Sequence, residues 1–79
     1  MEIHRSARKH GIADADITHA AARYLVAYPL DGEGPPRELR FGPDRAGNLL
    51  EIVVLFLDDD TELIIHAMRM RPKYRSLLP

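Results

Sequence analysis

From Leu49 to Leu57 every position is apolar except Glu51. Alternate residues of a strand face opposite ways, so a run apolar on both faces over most of this length predicts a central strand covered on both sides. Asp58-Asp59-Asp60 then reads as a polar turn, and Thr61 to Met68 as the next strand. Upstream, Leu25 to Leu30 is apolar without a helical period and contains Pro29, which predicts a short edge strand. Asp31 to Pro36 holds two glycines and two prolines and reads as a loop. Arg37 to Phe41 alternates as a half-buried strand does, and Gly42-Pro43-Asp44 through Gly47-Asn48 marks a hairpin connection.

The first quarter of the chain carries a different period. Ile3 and Ala7 are spaced i, i+4 among His4, Arg5, Arg8 and Lys9, which predicts a short helix over residues 2–10 with Gly11 as its left-handed terminator. A second helix is predicted from Ala15 to Tyr24, capped by Asp14. Its apolar stripe is Ile17, Ala20, Ala21 and Tyr24, and its solvated face carries Asp16, His19 and Arg23. The expected fold is therefore α+β, a single domain over 1–79, with two N-terminal helices packed on a three- to four-stranded antiparallel sheet. Two short helices cover one face of such a sheet. The second face calls for a partner or for the tail, residues 69–79, which contains Pro72 and has room for one helical turn.

Composition narrows the setting. A chain of 79 residues holds one domain, and 46% hydrophobic content is too high for a disordered one. Without cysteine there is neither a disulfide framework nor a thiolate metal site, which suits a reducing compartment. The run Ile52 to Leu57 is too short to span a bilayer, and acidic Glu2 with no apolar segment behind it is unlike a secretory leader. A cytoplasmic protein with no membrane partner is expected. The net charge of −1 argues by itself against a constitutive nucleic-acid binder, but the charge is unevenly spread. Eight acids stand against three arginines from Asp31 to Asp60, whereas Arg69, Arg71, Lys73 and Arg75 stand against Glu62 alone in the last 19 residues. Arg5, Arg8 and Lys9 form a second basic group, and convergence of the two on one face is where function is expected.

The text Arg8-Lys9-His10-Gly11-Ile12, followed by a helix with acids in its first turn, resembles the BrnT-type ribonuclease toxins of bacterial toxin–antitoxin pairs, a branch of the RelE-like group. Arg37-Glu38-Leu39-Arg40-Phe41-Gly42 is similar to the family's arginine-bearing strand. Leu49 to Val54 and Leu63 to Met68 are similar to its two core strands. The resemblance implies a toxin that cuts RNA, silenced by a cognate antitoxin with a DNA-binding domain. Position by position, it assigns Lys9 and His10 to the Lys-His pair and Arg40, with Arg37 as the other choice, to the strand arginine. The family's Ser-Ala-Arg at the end of the last strand stands here as His66-Ala67-Met68, with Arg69 and Arg71 as the nearest cations, and its C-terminal helix is shortened.

Metal-independent RNA cleavage needs a group to take the 2′-hydroxyl proton, cations for the phosphorane and a proton for the leaving oxygen. Histidine suits both proton transfers, and the planar fork of arginine suits phosphate. Lys9, His10, Arg40 and His66 are the candidate catalytic residues, and Arg8, Arg37, Arg69, Arg71, Lys73 and Tyr74 the candidate RNA contacts. No cofactor or metal is called for: glycine-rich phosphate loops and paired-histidine zinc motifs are missing, and Asp58 to Asp60 lack the alternating spacing of a calcium loop. Each candidate also has a plainer explanation. His10 beside Gly11 is placed to answer a helix dipole, His66 beside Ile64 and Met68 reads equally as a core histidine, and Arg69 to Arg75 as a solubilising tail. The functional expectation is an endoribonuclease toxin; the alternative is a non-catalytic protein-interaction module of the same fold.

Overall fold

Leu50, Ile52 and Val54 are fully buried on one side of a central strand, and Ile17, Ala20 and Ala21 close over them from a helix. The computed structural model describes residues 1–79. In chain order it has β1 (Glu2–Ile3), a 3₁₀ turn (Arg5–Arg8), α1 (Asp14–Ala22), β2 (Val26–Leu30), β3 (Arg37–Pro43), β4 (Leu49–Phe56), β5 (Glu62–Arg69) and a second 3₁₀ turn (Pro72–Leu77). The strands form one sheet in the order β1-β5-β4-β3-β2. β2 to β5 run antiparallel to their neighbours, and β1 lies parallel to β5, with Glu2 opposite Leu63 and Ile3 opposite Ile64.

This overturns the expected two helices on an antiparallel sheet. The sheet is mixed and five-stranded, and α1 is the one α-helix. Residues 2–10 divide between a strand and a 3₁₀ turn, because the backbone of Glu2 to His4 satisfies itself on the edge of β5; the His4 N–H donates to the Ile64 carbonyl at 2.8 Å. Ala7 still reaches the core, since a 3₁₀ turn after an extended start buries the same residue that a helix would have buried. Gly11 takes φ +75°, the left-handed conformation read from the sequence. α1 begins one residue early, with Ala13 at the N-cap position and no side-chain cap, and Asp14, expected as the cap, lies in its first turn, paired with Arg8 at 2.9 Å. Tyr24 lies beyond the helix end and is 43% exposed, so it leaves the apolar stripe.

Two features aim side chains at the two faces. Gly42 lets α1 lie directly on β3: a Cβ there would stand 2.3 Å from the Ala20 carbonyl oxygen. In β5 a bulge interrupts the register, with Val53 opposite His66 but Val54 opposite Ile64, so Ile65 is the extra residue. Its carbonyl accepts a 2.7 Å hydrogen bond from the Ser6 hydroxyl. Without the bulge, His66 would share the helix side with Ile64. With it, Ile64 and Ala67 point into the core, and His66 points to the opposite face. That second face is partly covered by the tail: the Tyr74 ring lies 5.4 Å from Phe41, and the Tyr28 hydroxyl donates to the Leu77 carbonyl.

Candidate active site

Glu51 sits mid-strand on the tail side of β4 and is 1% exposed. A carboxylate is buried at tolerable cost only when charged and polar donors replace its water. Here the donors are the Arg71 backbone N–H at 3.1 Å, Arg71 Nε at 3.0 Å, Arg71 Nη2 at 2.7 Å and His66 Nε2 at 2.9 Å. Burial is the largest single influence on the Glu51 carboxyl and pushes its pKa up. The hydrogen bonds from Arg71 and His66, with the charge of Arg71, together outweigh it and hold the group below its ordinary value. Glu51 is therefore ionised at neutral pH.

An ionised carboxylate only accepts, so the Glu51 contact fixes a proton on Nε2 of His66 and leaves Nδ1 of the neutral ring as a free base. The His66 side chain is 25% exposed, open enough to meet a ligand. His10 approaches from the β1 edge, following the first 3₁₀ turn, with its ring centroid 5.7 Å from that of His66 and the planes 78° apart. Arg71 contacts Glu51 through Nε and Nη2 while its side chain stays 42% exposed, so its fork serves the carboxylate on one side and solvent on the other. Tyr74 lies beside it, with Arg71 Cζ 5.5 Å and Lys73 Nζ 5.0 Å from the ring centroid. Beside His66 and Arg71 opens a cavity of about 320 Å³, lined by Leu30, Leu39, Val53, Ile65 and Tyr74 together with Glu51, His66 and Arg71.

The candidates read from the sequence thus separate into two sets. His10, His66, Arg71, Lys73 and Tyr74 come together on the tail side of the sheet. Lys9 is exposed next to His10, and Arg8 is exposed but engaged with Asp14 through both Nε and Nη2. Arg37, at the start of β3, donates from Nη2 to the Glu33 carbonyl at 2.8 Å, and its buried Nε has no partner. Arg69 is exposed at the end of β5, in register with Leu50 and hence on the helix side. Arg40 also faces the helix and does not meet His10. It is 5% exposed, with Nε on Glu38 at 2.6 Å and Nη1 on Glu62 at 2.9 Å and on the Ala21 carbonyl at 3.0 Å. Its guanidinium is stacked near Tyr24 and Phe56, 4.7 and 5.7 Å from their centroids. A guanidinium with two carboxylates and a helix-end carbonyl joins α1 to the sheet.

Glu51 is the residue that sequence reasoning passed over. Its signal is visible in retrospect: it is the lone acid in an otherwise apolar central strand, where a charge survives only with a partner. The Asp58 to Asp60 run is a turn, with Asp59 accepting from the Thr61 N–H at 3.0 Å and Asp60 at φ 66°. No helix is long and apolar enough to cross a membrane. Compared with protein-family models, with curated proteins and with solved structures, the chain matches none.

Proposed function

We propose that this chain is a metal-independent endoribonuclease acting as a growth-inhibiting toxin, and that His66, held by Glu51, is its general base. The observation that carries the reading is the Glu51–His66 contact of 2.9 Å with His10 and Arg71 around it. In the proposed step, Nδ1 of His66 takes the proton of an RNA 2′-hydroxyl, and the 2′-oxygen attacks the adjacent phosphorus. The bond to the 5′-oxygen breaks, and that oxygen receives its proton from protonated His10. The products are a 2′,3′-cyclic phosphate and a 5′-hydroxyl, and proton exchange with solvent resets the two histidines. Arg71 and Lys73 hold the phosphate oxygens and offset the charge of the phosphorane. The resemblance to BrnT-type toxins agrees with this assignment of His10. It also supplies the partner in the proposal, a DNA-binding antitoxin that holds the protein silent in the cytoplasm.

A non-catalytic interaction module is the second reading, favoured by Leu25, just before the edge strand β2, and Leu30, its last residue, which are 57% and 38% exposed. Induced expression in bacteria, with growth and RNA integrity followed over time, separates the two. The nuclease reading predicts growth arrest with RNA fragmentation, both lost in soluble His66→Ala and His10→Ala variants. Normal growth and intact RNA with soluble wild-type protein would favour the module.

A further inference from the structure

We infer that the cavity beside His66 is a nucleobase subsite, which takes the base next to the scissile phosphate of a single-stranded RNA. This rests on the nuclease reading above and goes beyond it in naming what part of the substrate is recognised. Four walls of the cavity are aliphatic (Leu30, Leu39, Val53, Ile65) and the fifth is Tyr74. Its volume of about 320 Å³ lies at the lower end of small-ligand pockets, which is the size class of a nucleoside. The polar part of the lining is Glu51, His66 and Arg71, and the Lys73 ammonium lies beside the cavity, 5.0 Å from the Tyr74 ring centroid. An apolar slot with Arg71 in its lining and Lys73 beside it fits a flat, uncharged ring tethered to a phosphate, whereas an apolar side chain of a protein partner would leave the Lys73 ammonium unanswered.

The polar lining determines how the base is read. Glu51 accepts from Arg71 and His66 through both of its oxygens and presents no free acceptor to a ligand. The Glu51-bound edges of His66 and Arg71 are likewise spent. The base is therefore held by stacking and shape, with little discrimination among the four bases. It must also leave a helical stack to enter, which makes single strands the substrate and duplexes poor ones.

The test is methyl NMR of the intact protein titrated with a 2′-O-methyl trinucleotide, whose blocked 2′-oxygen prevents cleavage. The same backbone with the central base removed is titrated in parallel. The subsite predicts shifts at the Leu39, Val53 and Ile65 methyls and about ten- to hundred-fold weaker binding of the abasic strand. Val53→Phe, which fills the slot with a residue that strands accommodate well, should abolish the difference between the two strands. Equal affinity for both strands, or binding of the trinucleotide without shifts at those methyls, would overturn the subsite while leaving the nuclease reading intact. Loss of all oligonucleotide binding would overturn it as well, and RNA cleavage by the same preparation then shows whether the nuclease reading also falls. Methyls that move with N-acetyl-leucinamide but not with the trinucleotide would reassign the cavity to a protein side chain.

Discussion

His66 Nε2 lies 2.9 Å from Glu51 Oε1, and it is the bulge at Ile65 that turns His66 to the face on which Glu51 is buried. Glu51 is opposite Met68 in the strand register, so His66 reaches it diagonally across the sheet, a distance that long side chains span. Glu51 acts on His66 as a positioning residue, setting its tautomer. Glu51→Gln keeps the volume and removes the charged acceptor. We expect cleavage to slow by about 10²-fold or more with substrate KM little changed. The stability loss, read by urea denaturation, should be about 1–3 kcal/mol, because Arg71 is free to turn to water. A folded Glu51→Gln protein with wild-type kcat would remove Glu51 from the mechanism.

Arg40 is expected to matter for folding and not for the reaction. Arg40→Ala leaves Glu38, Glu62 and the Ala21 carbonyl without their common donor, at a cost of about 2–4 kcal/mol. Thermal melting should show a much lower midpoint, and the rate per folded molecule should stay at wild type. An Arg40→Ala protein that melts like wild type but does not cleave would return Arg40 to the catalytic set.

Gly42 tests the seating of α1 on the sheet. Gly42→Ala would drive a methyl to 2.3 Å from a backbone oxygen of Ala20 and 3.0 Å from the Tyr24 Cα, neither of which is the end of a flexible side chain. Overpacking against backbone costs about 1–3 kcal/mol or more, and in a domain of this size each kcal/mol lowers Tm by about 4–8 °C. A melt within a degree of wild type would contradict the close packing of α1 on β3.

Acid should destabilise the fold within a defined window. Glu51 is held below its ordinary pKa, burial being outweighed by Arg71 and His66. Asp14 and Asp16 are also lowered, chiefly by hydrogen bonds from Arg8 and Arg45. Groups with depressed folded-state values bind protons more readily unfolded, so their stabilisation is complete above the unfolded values of about 4. It is lost as pH falls through the lower folded values. Urea midpoints should be level from about pH 7 to pH 5 and fall below about pH 4, less steeply in Glu51→Gln.

Hydropathy made β2 to β5 legible and left β1 and the faces hidden. The apolar run at Leu49 to Leu57 marked the central strand because eight neighbouring apolar side chains have no other place in a small domain. The N-terminal pattern misled because Ile3 and Ala7 fit a helix and a strand-plus-turn equally well. What decided it was the free edge of β5, which local spacing does not report. The candidate site was half legible. His10, His66, Arg71, Lys73 and Tyr74 stand out by residue type and meet on the tail side, Arg40 lies on the helix side, and Glu51 drew no notice. Strict alternation puts His66 with Ile64, and one bulged residue reverses that. A bulge leaves little trace in an apolar sequence such as Leu63-Ile64-Ile65.

The central claim is that His66 activates a 2′-hydroxyl. It is tested most directly by incubating the purified chain in excess chelator with a single-stranded RNA carrying one 2′-deoxy position, and analysing the fragment ends. The predicted result is cleavage leaving 2′,3′-cyclic phosphates, none after the deoxy residue, and a rate about 10²-fold or more lower in His66→Ala. Intact RNA with folded wild-type protein, or equal cleavage after the deoxy residue, would contradict it.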